Sequence, residues 1–335
     1  GRRAWRSGHR MSPPAQVGRA LLAAFEHVLV ISLTRSTLRR QHVVRELGQF
    51  DLHLGRDFEF VDAVDCHTYG RWPFISELQS VLGRDNNSSG RQIVPWMRKP
   101  CNGTWHPSCS DQEHRHCMRS RMKAEVAAKR CGEICYSLSV ARALQQFLAS
   151  NRSRILLLED DICATPYLYH APGLLTRLAA ERRWNVVKMG HCFLNEGKRG
   201  GGNITEPECA TAVPSTQQIG TSHGNHIYNS VGNSFCAHAL GLSRHGAQAL
   251  LRLGFPVAIV FDDVLAALGG RLGPRHQSQA LRAAGLHSTS ELGARHLKHS
   301  LFGQLSRQLR PTGGGATTFL STINSDTQRI YGAGK

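Results

Sequence analysis

Short apolar runs constrain this chain more than any other feature of it. His27-Val28-Leu29-Val30-Ile31-Ser32-Leu33, Ile155-Leu156-Leu157-Leu158 and Val186-Val187-Lys188-Met189 are nearly continuous in apolar character, and Phe58-Glu59-Phe60-Val61-Asp62-Ala63-Val64 reads as a further strand. Runs of this length, without regular polar alternation, suit strands covered on both faces of a parallel sheet. Between the first two, Leu38, Val43, Val44 and Leu47 fall at roughly helical spacing across residues 36–47. Strand, helix, strand in that order is a β-α-β unit with a right-handed crossover. The expected class is α/β, a mostly parallel sheet flanked by helices.

The pattern continues beyond a break. Ile134, Leu138, Ala141, Leu144 and Leu148 step by four, three, three and four, the mark of an amphipathic helix leading into the strand at 154–158. A strand at 235–242, a helix at 244–253 and a strand or short helix around 257–265 follow a Gly-rich, irregular region. Residues 66–131 are rich in Gly, Asn, Ser, Pro and Cys and lack a period. A loop of that length is unusual in a compact domain, so it reads as an insertion at the rim of a site, stapled by some of its cysteines. Residues 1–24 read as a basic tail or processing remnant, 25–310 as the domain, and 311–335 as a C-terminal extension. No apolar run nears the roughly twenty residues that cross a bilayer. The chain opens on Gly1, so a leader or anchor in a precursor stays open.

The formal charge of +17 points to an anionic partner. The basic residues are scattered and form no long block, which argues against specific nucleic-acid binding; a nucleotide-diphosphate donor or an anionic glycan suits the charge as well. Of ten cysteines, eight cluster at 101–135 and 192–236, and Asn86, Asn87, Asn102, Asn151 and Asn203 each stand two residues before Ser or Thr. Together these favour an oxidising lumen, that of the endoplasmic reticulum or Golgi.

Glu159-Asp160-Asp161 closes the apolar run at 154–158. Ligands of open α/β sheets sit at the carboxyl ends of strands, and carboxylates there suit a hard cation such as Mn²⁺ or Mg²⁺, which neutralises phosphate oxygens. Alternation along an extended chain would turn Glu159 and Asp161 one way and Asp160 the other. A solvated turn that merely stops the strand is the plainer reading.

Taken in order, several segments resemble glycosyltransferase family 25, which includes procollagen galactosyltransferases and bacterial lipopolysaccharide glycosyltransferases. They are Val30-Ile31-Ser32-Leu33-Thr34-Arg35-Ser36 with Arg39-Arg40, Phe60-Val61-Asp62-Ala63-Val64-Asp65, Gly132-Glu133-Ile134-Cys135-Tyr136-Ser137-Leu138-Ser139, Leu157-Leu158-Glu159-Asp160-Asp161, Ser243-Arg244-His245-Gly246-Ala247 and Phe261-Asp262-Asp263-Val264-Leu265. Lys188-Met189-Gly190-His191-Cys192 and Cys236-Ala237-His238-Ala239-Leu240 are similar to motifs of a eukaryotic branch. The resemblance implies a GT-A-like, Rossmann-type fold that binds a UDP-sugar and a divalent metal, Mn²⁺ or Mg²⁺, and transfers a hexose with inversion to a glycan or protein hydroxyl. In that scheme Glu159 and Asp161 hold the metal, and Ser32, Arg35, Asp62, Glu159 and Asp160 bind the donor. Asp262, with Asp263 second, takes the acceptor proton. Arg35 also has a structural reading, a salt bridge at the sheet edge. One departure stands out: Val140 follows Ser139 where the family commonly has histidine, which keeps open a catalytically inactive sugar- or nucleotide-binding relative. A basic nucleic-acid binder is a third class, supported by charge alone.

His114, His116, Cys117, Cys131 and Cys135 could be assembled into a zinc site, but their spacings match no Cys-x-x-Cys pair, and Cys131 and Cys135 are expected to straddle a helix start; disulfides or buried thiols are the alternative. Cys192, Cys209 and Cys236 are the better disulfide candidates. His191 and His238 could line the cleft or serve structure.

Overall fold

The computed structural model describes residues 12–65, 121–181, 183–190, 193–194, 204–205, 227–228, 238–254, 261, 292–297 and 300–304. Its centre is a seven-stranded sheet. In chain order the elements are α1 (Pro14–Phe25), β1 (Val28–Ser32), α2 (Thr37–Gly48), β2 (Phe58–Asp62), α3 (Arg121–Ala149), β3 (Arg154–Glu159), β4 (Ile162–Ala164), α4 (Pro172–Ala180), β5 (Val186–Gly190), β6 (Phe193–Leu194), β7 (Ile204–Thr205), β8 (Ile227–Tyr228), β9 (Ala239–Ser243), α5 (Arg244–Gly254), β10 (Ala294–Leu297) and β11 (Phe302–Gln304). The sheet order is β2-β1-β3-β9-β5-β10-β8. β1 pairs in parallel with β2 and with β3, and β5 in parallel with β10. β9 runs antiparallel to both β3 and β5, which leaves those two parallel to each other. β8 is antiparallel at the far edge. The sheet is thus mostly parallel, as the apolar runs require.

The strands are buried on both faces because helices cover both. Val28, Val30, Leu156, Leu158, Val187 and Met189 pack with residues of α1, α2 and α4. The alternate residues Leu29, Ile31, Ile155, Leu157 and Val186 pack with α3 and α5. Trp184, fully buried just before β5, stacks its edge on Phe25 at 5.8 Å and takes Arg154 over its ring at 4.5 Å.

Several elements depart from the sequence-based expectations. Residues 14–24, read as part of a tail, belong to α1, with Val17, Leu21, Ala24 and Phe25 buried in the core. Pro13-Pro14 looks like a breaker, but Pro14 is the first helical residue, where its fixed φ fits and its missing N–H is not needed. The end of the 66–131 insertion is also helical: α3 begins at Arg121, so Cys131 and Cys135 lie within the helix rather than across its start. That first stretch has no apolar period but is rich in Ala, Lys, Arg, Met and Glu, which favour helix intrinsically. On α2 the buried face is Val43 and Leu47, while Leu38 and Val44 are exposed. The strand expected at 235–242 begins only at Ala239, and β2 ends at Asp62 rather than 64. The rest of the insertion, the extension at 311–335 and all of the 257–265 segment except Phe261 lie outside the described residues.

Among the described residues no helix is long and apolar enough to cross a membrane.

Candidate active site

Ser32 ends β1, Asp62 ends β2 and Glu159 ends β3. The three strands are parallel neighbours, with Ile31 opposite Glu159 and Ser32 opposite Asp62, so all three ends share one edge of the sheet. This is the edge where α/β sheets bind ligands. The chain then turns at Asp160 and Asp161 and continues as β4. Because β3 stops at Glu159 and the next two residues form a turn, the alternation expected to pair Glu159 with Asp161 does not carry past Glu159.

The acidic turn faces inward. Asp160 and Asp161 are each only 6% exposed, so the reading of a solvated strand stop does not describe them. Two buried carboxylates side by side are costly unless cations or donors compensate them. Asp160 is compensated through both oxygens: the Ser32 hydroxyl donates to Oδ2 at 2.8 Å, and the Arg39 guanidinium donates to Oδ1 at 2.8 Å. Burial nevertheless pushes the Asp160 carboxyl above its ordinary value against the pull of Arg39, and the neighbouring charge of Asp161 adds to the rise. Desolvation opposes the charge on Arg39, but Asp160, Asp161 and Glu159 together hold its pKa above the usual one. Arg39 therefore sits in the field of all three acids. Glu159 accepts a hydrogen bond on Oε2 from Gln304 Nε2 at 3.1 Å, which ties the end of β3 to β11.

The other expected donor residues form a charged rim. Arg35 pairs with Asp65 at 2.5 Å, the structural role allowed for it. Asp62 pairs with Arg40, which also donates to the Ser32 carbonyl and lies 4.8 Å over the Phe60 ring. The Arg40 hydrogen bond, helped by Thr34, holds the Asp62 carboxyl below its usual range. Arg142 of α3 donates to the Asp62 carbonyl at 2.7 Å.

Asp262 and Asp263 lie outside the described residues. Phe261 immediately before them is buried against Tyr136 of α3, at 6.3 Å between ring centres, in the cluster that also holds Ile31 and Val61. Val140, at the family's histidine position, is fully buried in that same cluster. Ser139 beside it accepts from the Val64 amide at 2.8 Å and donates to the Cys135 carbonyl at 2.6 Å, tying the end of the β2 segment to α3.

His238 is wholly buried, its Nε2 donating to the Phe302 carbonyl at 2.8 Å, and its own carbonyl accepts from the Glu159 amide at 3.0 Å. It is a structural histidine under the acidic turn. The absence of a side chain at Gly190 makes room for it: a Cβ there would meet His238 Nε2 at 2.3 Å. Gly190→Ala is expected to cost about 1–3 kcal/mol, the usual range for an overpacked core, and to lower turnover by displacing the strand end that carries Glu159. Thermal melting and a donor-hydrolysis assay read both effects; a variant matching the wild type in each would show that His238 can shift without moving Glu159.

Cys135 and Cys163 are each disulfide-bonded. Cys163 stands two residues past Asp161 and had no place among the expected pairs; His191, Cys192, Cys209, Cys236, His114, His116 and Cys117 lie outside the described residues. Among the described residues no three His, Cys, Asp or Glu side chains gather closely enough to hold a metal by themselves.

Sequence reasoning assigned no role to four residues that grip the turn: Arg39, His42, Glu46 and Gln304. The first three recur at i, i+3 and i+7, a polar stripe on one face of α2, and that period was available in the sequence. Gln304 carries no local signal.

A mostly parallel α/β sheet with two buried acids just past the end of β3, beside the ends of β1 and β2, defines a class of fold whose members take their ligands at the carboxyl edge. A family model of glycosyltransferase family 25 (LPS biosynthesis protein) matches residues 25–265, well over half of the 335. The chain belongs to glycosyltransferase family 25. No curated protein matches it.

Proposed function

We propose that the protein transfers a hexose from a UDP-sugar to a hydroxyl of a glycan or protein acceptor, with a divalent cation, Mn²⁺ or Mg²⁺, and inversion at the anomeric carbon. The observation that carries the proposal is the buried acidic turn at Glu159–Asp161, set beside the ends of β1 and β2 in a chain of this family. Parallel β1, β2 and β3, with β9 reversed in the middle of the sheet, support a GT-A-type arrangement.

In this scheme Glu159 and Asp161 hold the cation, which when bound offsets negative charge developing on the departing diphosphate. The protein's own groups do the rest. Gln304 orients Glu159, and the rim of Arg35, Asp62 and Arg142 borders the nucleotide. A carboxylate, Asp262 first and Asp263 second, accepts the proton of the acceptor hydroxyl. The two half-cystines, together with the sequons, support an endoplasmic reticulum or Golgi lumen.

The test is hydrolysis and transfer across a panel of UDP-sugars, with Mn²⁺ and with a chelator. Turnover of one donor that vanishes on chelation is expected. Metal-dependent nucleotide binding without turnover on any donor and acceptor would instead favour the inactive relative, and salt-sensitive binding to random DNA with no nucleotide effect would overturn both.

A further inference from the structure

We infer, on the lumenal reading proposed above, that Asn151 is an N-glycosylation site and carries an oligosaccharide at the amino edge of the sheet, opposite the acidic turn.

The local structure leaves one side chain to solvent. Residues 150–153 connect α3 to β3, and the polar groups around Asn151 are taken up by the protein. The Ser150 hydroxyl donates to the Phe147 carbonyl at 2.7 Å and accepts from the Arg152 amide at 3.3 Å. The Arg152 guanidinium donates to Glu59 of β2 at 3.1 Å. Arg244 of α5 donates to the Ser150 carbonyl at 2.7 Å and to the Arg152 carbonyl at 3.3 Å. Glu26, just past α1, clasps Ser153 by accepting from its amide at 2.9 Å and from its hydroxyl. Asn151 stands in the middle of this bend, exposed, and none of the described hydrogen bonds uses its side-chain amide.

An exposed Asn in a bend is by itself ordinary turn chemistry. Here Ser153 follows two residues on, with Arg152 rather than proline between, which is the acceptor pattern found on surface loops of secreted proteins. The half-cystines at Cys135 and Cys163 fit the same oxidising compartment. The other four sequons lie outside the described residues.

In the transfer, Asn151 Nδ2 bonds to the anomeric carbon of an oligosaccharide carried on a lipid diphosphate. The bond from that carbon to the diphosphate oxygen breaks, the lipid diphosphate leaves with the electron pair, and the amide gives up one proton. The product is still a neutral, solvated amide, so no buried contact is lost. The pattern needs the Ser153 hydroxyl, which Glu26 engages in the folded protein, so transfer precedes the docking of the end of α1 on this bend. The six residues of β3, Arg154–Glu159, put the glycan roughly 16 Å of strand away from the acids, at about 3.3 Å per residue.

The test produces the full chain in cultured eukaryotic cells behind a cleavable secretory leader. The purified protein is treated with a peptide-N-glycosidase in heavy-oxygen water, which leaves a heavy Asp at each occupied Asn, and is then cut with trypsin. The peptide Ala143–Arg152 contains Asn151 and no other Asn, so mass spectrometry reads this site apart from the other sequons. Heavy label in that peptide is expected, with loss of the label in Ser153→Ala and its retention in Ser153→Thr. Label that persists in Ser153→Ala would be spontaneous deamidation and would overturn the inference. An unlabelled peptide from protein whose Cys135 and Cys163 are disulfide-bonded overturns the inference alone. An unlabelled peptide with both cysteines as free thiols overturns the lumenal reading with it.

Discussion

A chain lacking residues 1–26 is expected to show no cooperative unfolding transition. Those residues look dispensable on charge and on the Pro13-Pro14 pair, yet they include α1. Val17, Leu21 and Phe25 are at most 1% exposed. Burying three such side chains contributes roughly 5–9 kcal/mol at about 1.5–3 kcal/mol each. Whole domains are stable by only about 5–15 kcal/mol, so the loss approaches the total. The damage also reaches the sheet. Phe25 lies against Trp184 and occupies the space that a side chain at Gly241 of β9 would fill, a Cβ there meeting the ring at 2.4 Å. Without α1, one face of β9, the strand that joins β3 to β5, loses its cover. Circular dichroism during heating is the measurement; a sigmoidal melt at the full-length temperature would sink the claim that α1 is part of the domain.

Asp161→Ala is the second large effect, and its signature is a split between activity and stability. In the metal-dependent reading we propose, loss of the Asp161 carboxylate should remove several kcal/mol of transition-state stabilisation, which is roughly a 10²- to 10³-fold drop in donor turnover at about 1.4 kcal/mol per tenfold. The fold should survive the change, because Asp161 stands beside Asp160 as a like charge and its removal relieves that repulsion. Added Mn²⁺ should raise the melting temperature of the wild type, as any ligand of the native state does, and leave that of the variant unchanged. Retained turnover in Asp161→Ala would remove this residue from the site. Lost turnover with a preserved metal-induced shift would move its role from the cation to the donor or acceptor.

What could be read in advance follows from how local each determinant is. The strands at β1, β2, β3 and β5 announce themselves because burial on both faces demands continuous apolar sequence. The acidic turn is legible because three charges directly after such a run are chemically expensive, and the structure keeps two of them buried. Helix α1 was obscured because proline marks both loops and helix starts, and only the packing of Phe25 separates the two. The start of α3 was obscured because its first residues are helical by propensity, with no apolar stripe to signal it. Sequence could not show what holds the acids in place either. Arg39 reaches Asp160 from 121 residues earlier in the chain, and Gln304 reaches Glu159 from 145 residues later. A contact over such distances leaves no period or motif near either partner.

The reversed strand in the middle of the sheet bears on how the polypeptide emerges during synthesis. β3 and β5 never touch directly; β9 must slot between them, making ladders on both sides with residues 154–158 and 186–190. Until residue 243 has left the ribosome, both of those strands present an open backbone edge, the kind of surface that recruits stray strands from other chains. The nascent protein thus carries these two margins together through the translation of about fifty residues, from 190 to 243, and the other edge of β5 waits longer still, for β10 at 294–297.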